Sequence, residues 1–209
     1  NNLPKKIAIF PLSNAIFFPK TQLPLNIFED RYIQLVSDQM KNDRLFGMIQ
    51  PIDKNEKKPK VYGVGCLGKI TSFHETSDKR FLINLNGIIR FRILEELNTN
   101  KLYREFTVDY SDFSNDLGEN NINKKKINNE KIIEKIKSFL KKNNYSIDYN
   151  NLKKMDFDQM LNTVCMILPF SPEEKQKLIE TIKIEDRVKM LEEIINFNLV
   201  GSLQNNTIQ

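Results

Sequence analysis

Between Ile9 and Tyr32, three prolines, Pro11, Pro19 and Pro24, cut a densely apolar stretch into short pieces. Proline has no N–H and a fixed φ, so this stretch fits neither a helix interior nor a central strand. It reads as short extended pieces with corners between them. Its apolar side chains are Ile9, Phe10, Leu12, Ile16, Phe17, Phe18, Leu23, Leu25, Ile27 and Phe28. So much apolar surface is costly to leave in water, so many of these residues enter a core and any left outside form a binding surface. Proline-fixed loops hold side chains outward with little ordering cost on binding. Phe17, Phe18, Pro19, Leu23 and Pro24 are therefore the candidate peptide-binding residues; the alternative, that all five are core, stands beside this reading. In a strand Phe17 and Phe18 would point to opposite faces, one inward and one to solvent.

Around this stretch the first half reads as β structure with one helix. Strands are predicted at Lys6–Phe10, Leu45–Gln50, Val64–Phe73, Arg80–Asn86, Ile88–Leu97 and Leu102–Tyr110. Gly87 marks a bulge or bend between two of them. Glu29–Asn42 carries Tyr32, Leu35, Val36 and Met40 at helical spacing, with Glu29 and Asp30 suited to the positive end of a helix dipole. Residues 111–129 are rich in Asn, Asp, Lys and Ser and read as a polar linker or loop.

After the linker the pattern is helical. Ile132, Ile133, Ile136, Phe139 and Leu140 form one stripe. Phe157, Met160, Leu161, Val164, Cys165 and Leu168 form a second, with Asp156 as its cap. Ile184, Val188, Leu191, Ile194 and Ile195 form the last. Ser171-Pro172-Glu173-Glu174 combines an N-cap serine, proline at the first helical position and a capping-box glutamate. The organisation expected is a β-rich lobe over residues 1–110, the linker, a helical bundle over 130–200 and a frayed polar tail over 201–209. A chain of 209 residues suits one domain or two small ones.

Few chemistries find support. Gly63-Val64-Gly65-Cys66-Leu67-Gly68-Lys69 imitates phosphate-binding glycine motifs, but these need a helix directly after the glycines. Here Ile70-Thr71-Ser72-Phe73 follows, which is strand-like, and position 70 offers no hydroxyl. His74 is the single histidine, and Cys66 and Cys165 sit apart in apolar settings, so no metal-ligand spacing exists. No catalytic constellation, cofactor or metal is expected. The cysteines read as reduced thiols of a cytoplasmic protein. No apolar run approaches the roughly 20 residues of a membrane span, and no signal peptide is visible. The first residue is Asn1, so the natural start is expected to be missing.

The order of motifs resembles a known family. Phe10-Pro11-Leu12, Phe17-Phe18-Pro19, Leu23-Pro24-Leu25, Ile27-Phe28-Glu29 and Arg31-Tyr32 are similar to the start of the Lon protease N-terminal, substrate-binding domain. Asp43-Arg44-Leu45-Phe46-Gly47, Val64-Gly65 with Lys69-Ile70, and Gly87-Ile88-Ile89-Arg90-Phe91-Arg92-Ile93 continue the likeness. Leu168 to Gln176 and then Asp186-Arg187 resemble the family's late helical hairpin. Residues 111–151 depart from the pattern.

The resemblance implies an α+β fold, an antiparallel, PUA-like β pseudo-barrel lobe with one helix, followed by an α-helical bundle. It implies a stand-alone, non-enzymatic module without ATPase or protease parts. Its partners would be unfolded or partner polypeptides, with a separate protease as a candidate, and it would bind exposed hydrophobic segments. The rival reading is an RNA- or DNA-binding module, since the implied fold is related to RNA binders and the formal net charge is +5. Its phosphate contacts would come from Arg80, Arg90, Arg92 and the run Lys124, Lys125, Lys126. Mixed charge around an apolar patch would favour peptide; a continuous basic face would favour nucleic acid.

Overall fold

The computed structural model describes residues 3–13, 15–52, 58–118, 129–145 and 147–204. The fold is α+β. Six strands, β1 (Lys6–Pro11), β2 (Gln22–Ile27), β3 (Leu45–Ile49), β4 (Val64–Glu75), β5 (Phe81–Leu97) and β6 (Arg104–Asp109), form one sheet in the order β2-β5-β4-β3-β1-β6. β5 also pairs with β6, so the pairings run in a closed circuit through β1, β3, β4, β5 and β6. The sheet is mixed rather than wholly antiparallel, because β1 and β3 run parallel, with Ile9 opposite Gly47. The helix α1 (Asp30–Met40) lies between β2 and β3 in the chain and makes the crossover a parallel pair requires. Tyr32, Leu35 and Val36 on its inner stripe are buried, and Tyr32 stacks on Phe10 with ring centroids 3.9 Å apart.

β5 is one continuous strand, where two were expected. Its register against β4 shifts beside Gly87: Leu67 faces Ile89 and Gly68 faces Gly87, so Ile88 is the extra residue of a bulge. Gly87 does not have a positive φ. The glycine is needed for closeness instead. A Cβ there would drive into the carbonyl oxygen of Phe18, because Lys20 N–H donates to Gly87 O at 2.9 Å and Gly87 N–H donates to Thr21 O at 2.9 Å. Gly68 makes room in the same way for Phe17, whose Cε1 lies 2.7 Å from where a Cβ would stand. The glycine-rich segment that imitates a phosphate loop is thus the start of a strand, with no helix after it.

The expected linker begins later than its composition suggests. Ser111–Leu117 is a 3₁₀ segment packed on β5, with Phe113 buried. Residues 119–128 lie outside the described residues. The helices that follow are α2 (Asn129–Lys142), α3 (Tyr149–Lys154), α4 (Phe157–Ile167), α5 (Pro172–Glu180) and α6 (Ile184–Gln204). α3 lies in the region where no helix was assigned from sequence. Asp156 caps α4 by accepting from Gln159 N–H at 2.9 Å. Ser171 and Glu174 form the capping box of α5, with Pro172 at its start. α6 continues through Gln204, past the point where a frayed tail was expected to begin.

Lobe and helices share one core, to which Phe91, Ile89, Leu161, Cys165 and Ile195 all belong. Both cysteines are free and buried, and burial pushes the Cys165 thiol up to about 12. Polar contacts cross the junction too: Gln50 Nε2 donates to Gln176 Oε1 at 3.0 Å, and Asn162 Nδ2 donates to Pro19 O at 2.9 Å. Among the described residues, no helix is long and apolar enough to cross a membrane.

Candidate functional site

The proline-cornered stretch divides between core and surface. Phe17 is 2% exposed and Phe18 is 0%. The expected asymmetry between them is absent for a local reason. Residues 15–18 are not part of a strand, so the alternation of faces does not apply, and both rings enter the core. Pro19 is buried, Leu23 is partly buried and Pro24 is exposed. β2 is an edge strand, alternating between exposed Gln22, Pro24 and Asn26 and more buried Leu23, Leu25 and Ile27. Pro24 suits this edge, where its missing N–H breaks no ladder, and it removes one donor from the open side.

The exposed apolar residue that sequence reading passed over is Phe28, 65% exposed. It follows the last residue of β2 and precedes Glu29 at the N-cap of α1, so neither strand alternation nor helix periodicity governs it. It stands on a cleft of about 310 Å³ that also includes Leu12, Leu25 and Tyr32. A larger cleft of about 700 Å³ adjoins it, sharing Pro11, Ser13, Arg31 and Tyr32. Its apolar lining comes from Pro51, Pro59, Leu97 and the exposed Leu102. These residues come from separate parts of the chain, and no local pattern joins them.

The cations on the larger cleft are already paired. Arg31 lies over the Tyr32 ring at 4.6 Å and bonds Glu29 through Nε at 2.9 Å. Arg104 donates from Nε and Nη2 to the two oxygens of Glu96 at 3.0 and 2.9 Å, and from Nη1 to Pro59 O at 2.7 Å. Lys58 reaches Glu96 at 2.8 Å, and Lys101 reaches Glu105 at 3.2 Å. The hydrogen bond from Arg104 holds the Glu96 carboxyl below its usual range, and burial pushes the Tyr32 phenol up. The arrangement is an apolar groove framed by neutralised charge, held in place by two-point contacts.

The arginines proposed for nucleic acid are not gathered into a face. Arg90 is buried and gripped by Asp116, so it cannot reach a phosphate. The register of β5 turns it inward between the sheet and the helices. Arg92 pairs with Asp112 at 2.9 Å and Arg80 with Asp78 at 2.8 Å. Lys124, Lys125 and Lys126 lie outside the described residues. His74 is exposed on β4, and no group able to hold a metal ion exists among the described residues.

The family model of the ATP-dependent protease La (LON) substrate-binding domain matches residues 6–196. The chain belongs to the Lon substrate-binding domain family. Two solved structures share the fold of this Lon domain. The Lon N-terminal domain protein from Xanthomonas campestris is 20% identical, with a TM-score of 0.59 over 89% of this chain and 96% of that one. The N-terminal domain of Mycobacterium avium complex Lon protease is 12% identical, with a TM-score of 0.62 over 92% and 98%. Among curated relatives, Lon protease 2 of Myxococcus xanthus is 22% identical over 93% of this chain and 24% of its own length. Lon protease of Syntrophus aciditrophicus is 25% identical over 94% of this chain and 26% of its own. The chain thus spans about a quarter of the length of these relatives, in the substrate-binding module rather than the ATPase or protease part. A role in recognising protein substrates is what the Lon family supports.

Proposed function

We propose that this chain recognises exposed hydrophobic segments of unfolded or partner proteins, at the two joined clefts beside β2 and α1. The observation that carries the reading is Phe28, an aromatic ring left 65% exposed on the rim of an apolar cleft. A large ring standing in water beside a concave apolar surface loses that exposure when a segment lies across it. The cleft's cations support the reading, because each has a carboxylate partner and none is left to demand a phosphate. Pro24 and Leu23 extend the candidate surface along the edge strand. With no donor at Pro24, capture by side chains is favoured over addition of a strand. Delivery of bound segments to a separate protease is the partner role that fits this activity.

The test is fluorescence anisotropy with a labelled peptide from an unfolded protein. Phe28→Ser is expected to weaken binding roughly tenfold, in line with an aromatic anchor at an interface, while the melting temperature stays near that of the parent. Unchanged affinity in Phe28→Ser would contradict the reading.

A further inference from the structure

A second, polar cavity of about 130 Å³ lies where the β lobe meets the helices, away from Phe28. The first turn of the 21-residue helix α6 lines it, together with Lys20, Asn162 and Arg187. Arg187 N–H donates to Lys183 O at 3.0 Å, which makes Lys183 the N-cap of that helix. A lysine side chain has donors only. It cannot accept from the N–H groups of Ile184, Glu185 and Asp186, which open the helix with its positive dipole end.

Arg187 stands beside that helix start and is 3% exposed. Nη1 donates to Asn162 Oδ1 at 2.6 Å and Nη2 to Thr181 O at 3.2 Å, both neutral acceptors. Its buried Nε–H has no acceptor at all. A buried guanidinium with neutral partners and an orphan donor is a costly arrangement unless an anion balances it. Burial, with Arg90 nearby, lowers its pKa to about 10, which reflects the same lack of compensation.

Three carboxylates also line the cavity, and two have cations of their own. Asp116 is held by Arg90, with Oδ1 2.9 Å from Nη2. Asp158 lies 3.5 Å from the Lys20 ammonium. Glu185, in the first turn of α6, is exposed and stands against both Arg187 and Lys183, which leaves a positive surplus.

We infer that this cavity binds one small oxyanion of the phosphate class, held by the start of α6, Arg187 and Lys183. Its volume admits a single phosphate group and leaves no room for a nucleoside or a peptide. Because Pro19, Asn162 and α6 all meet here, an occupied site ties the β lobe to the helices, and ligand binding reads out as thermal stabilisation.

The experiment titrates inorganic phosphate into the intact chain at constant ionic strength, with chloride as the balancing anion, and follows melting temperature and calorimetric binding. Melting temperature is expected to rise with phosphate and not with chloride. Arg187→Gln would also remove the contact with the Phe18 ring and so threaten the fold. The exposed Lys183→Glu therefore carries the mutational arm, with an expected loss of roughly tenfold in phosphate affinity. O-phosphoserine in a parallel titration separates the sources. Binding equal to phosphate identifies a site for phosphomonoester ends, and binding of phosphate alone identifies a site for the free ion. No stabilisation beyond chloride, or an undiminished response in Lys183→Glu, overturns the inference.

Discussion

Arg90 holds both oxygens of Asp116, Nε to Oδ2 and Nη2 to Oδ1, each at 2.9 Å, at a site where Arg90 is 2% exposed. The same guanidinium donates from Nη1 to Ile179 O at 3.0 Å and Thr181 O at 2.7 Å, and lies 4.5 Å from the Phe113 ring centroid. One side chain therefore joins β5, the 3₁₀ segment and the turn before α6. Asp116→Ala strands a buried charge, and breaking such a pair typically costs about 3–5 kcal/mol. Urea unfolding of parent and variant measures it. A loss below about 1 kcal/mol, the range of exposed pairs, would show that this pair is not a joint.

Gly87 makes a different demand on the same strand. Gly87→Ala places a Cβ against the Phe18 carbonyl oxygen, backbone that cannot swing aside. Overpacking of this kind costs about 1–3 kcal/mol. The melting temperature should fall even though alanine suits the backbone angles here. An unchanged melting temperature would show that the loop yields to the methyl group.

Phe17 and Phe18 are both core residues. Phe17→Ala and Phe18→Ala should each destabilise by roughly 3–5 kcal/mol, measured by urea unfolding. A mild effect at either position would restore the asymmetry expected of a strand.

Glu96 provides a pH signature for the larger cleft. Its folded pKa lies below the ordinary glutamate value, first because Arg104 donates to it. Such a group contributes stability that is present above the unfolded pKa, about 4.3, and is lost as pH falls through the folded pKa. The stability difference between the parent and Glu96→Gln should be full at neutral pH and shrink from about pH 4.3 downward. A difference that grows on acidification would have the wrong sign.

The sequence reading succeeded where the signal is local. The α5 capping box is contained in Ser171 to Glu174, and the stripes of α2 and α4 bury the residues assigned to them. It failed where partners are distant. Arg90 reads as a basic residue on a strand, but its anchors Asp116 and Ile179 are 26 and 89 positions away. Phe113 and Asp116 were hidden in a polar composition that described a linker, although both pack on β5. Phe28 was visible as an apolar residue, but its exposure depends on Leu12 and Leu25 folding into a cleft beside it.

The most direct test of the account is a map of backbone amide shift changes as an unfolded-protein peptide is titrated into the isotope-labelled chain. The account predicts changes centred on Leu12, Leu25, Phe28, Arg31 and Leu102, the residues of the joined clefts. Changes centred instead on the helices, or none at saturating peptide, would contradict it.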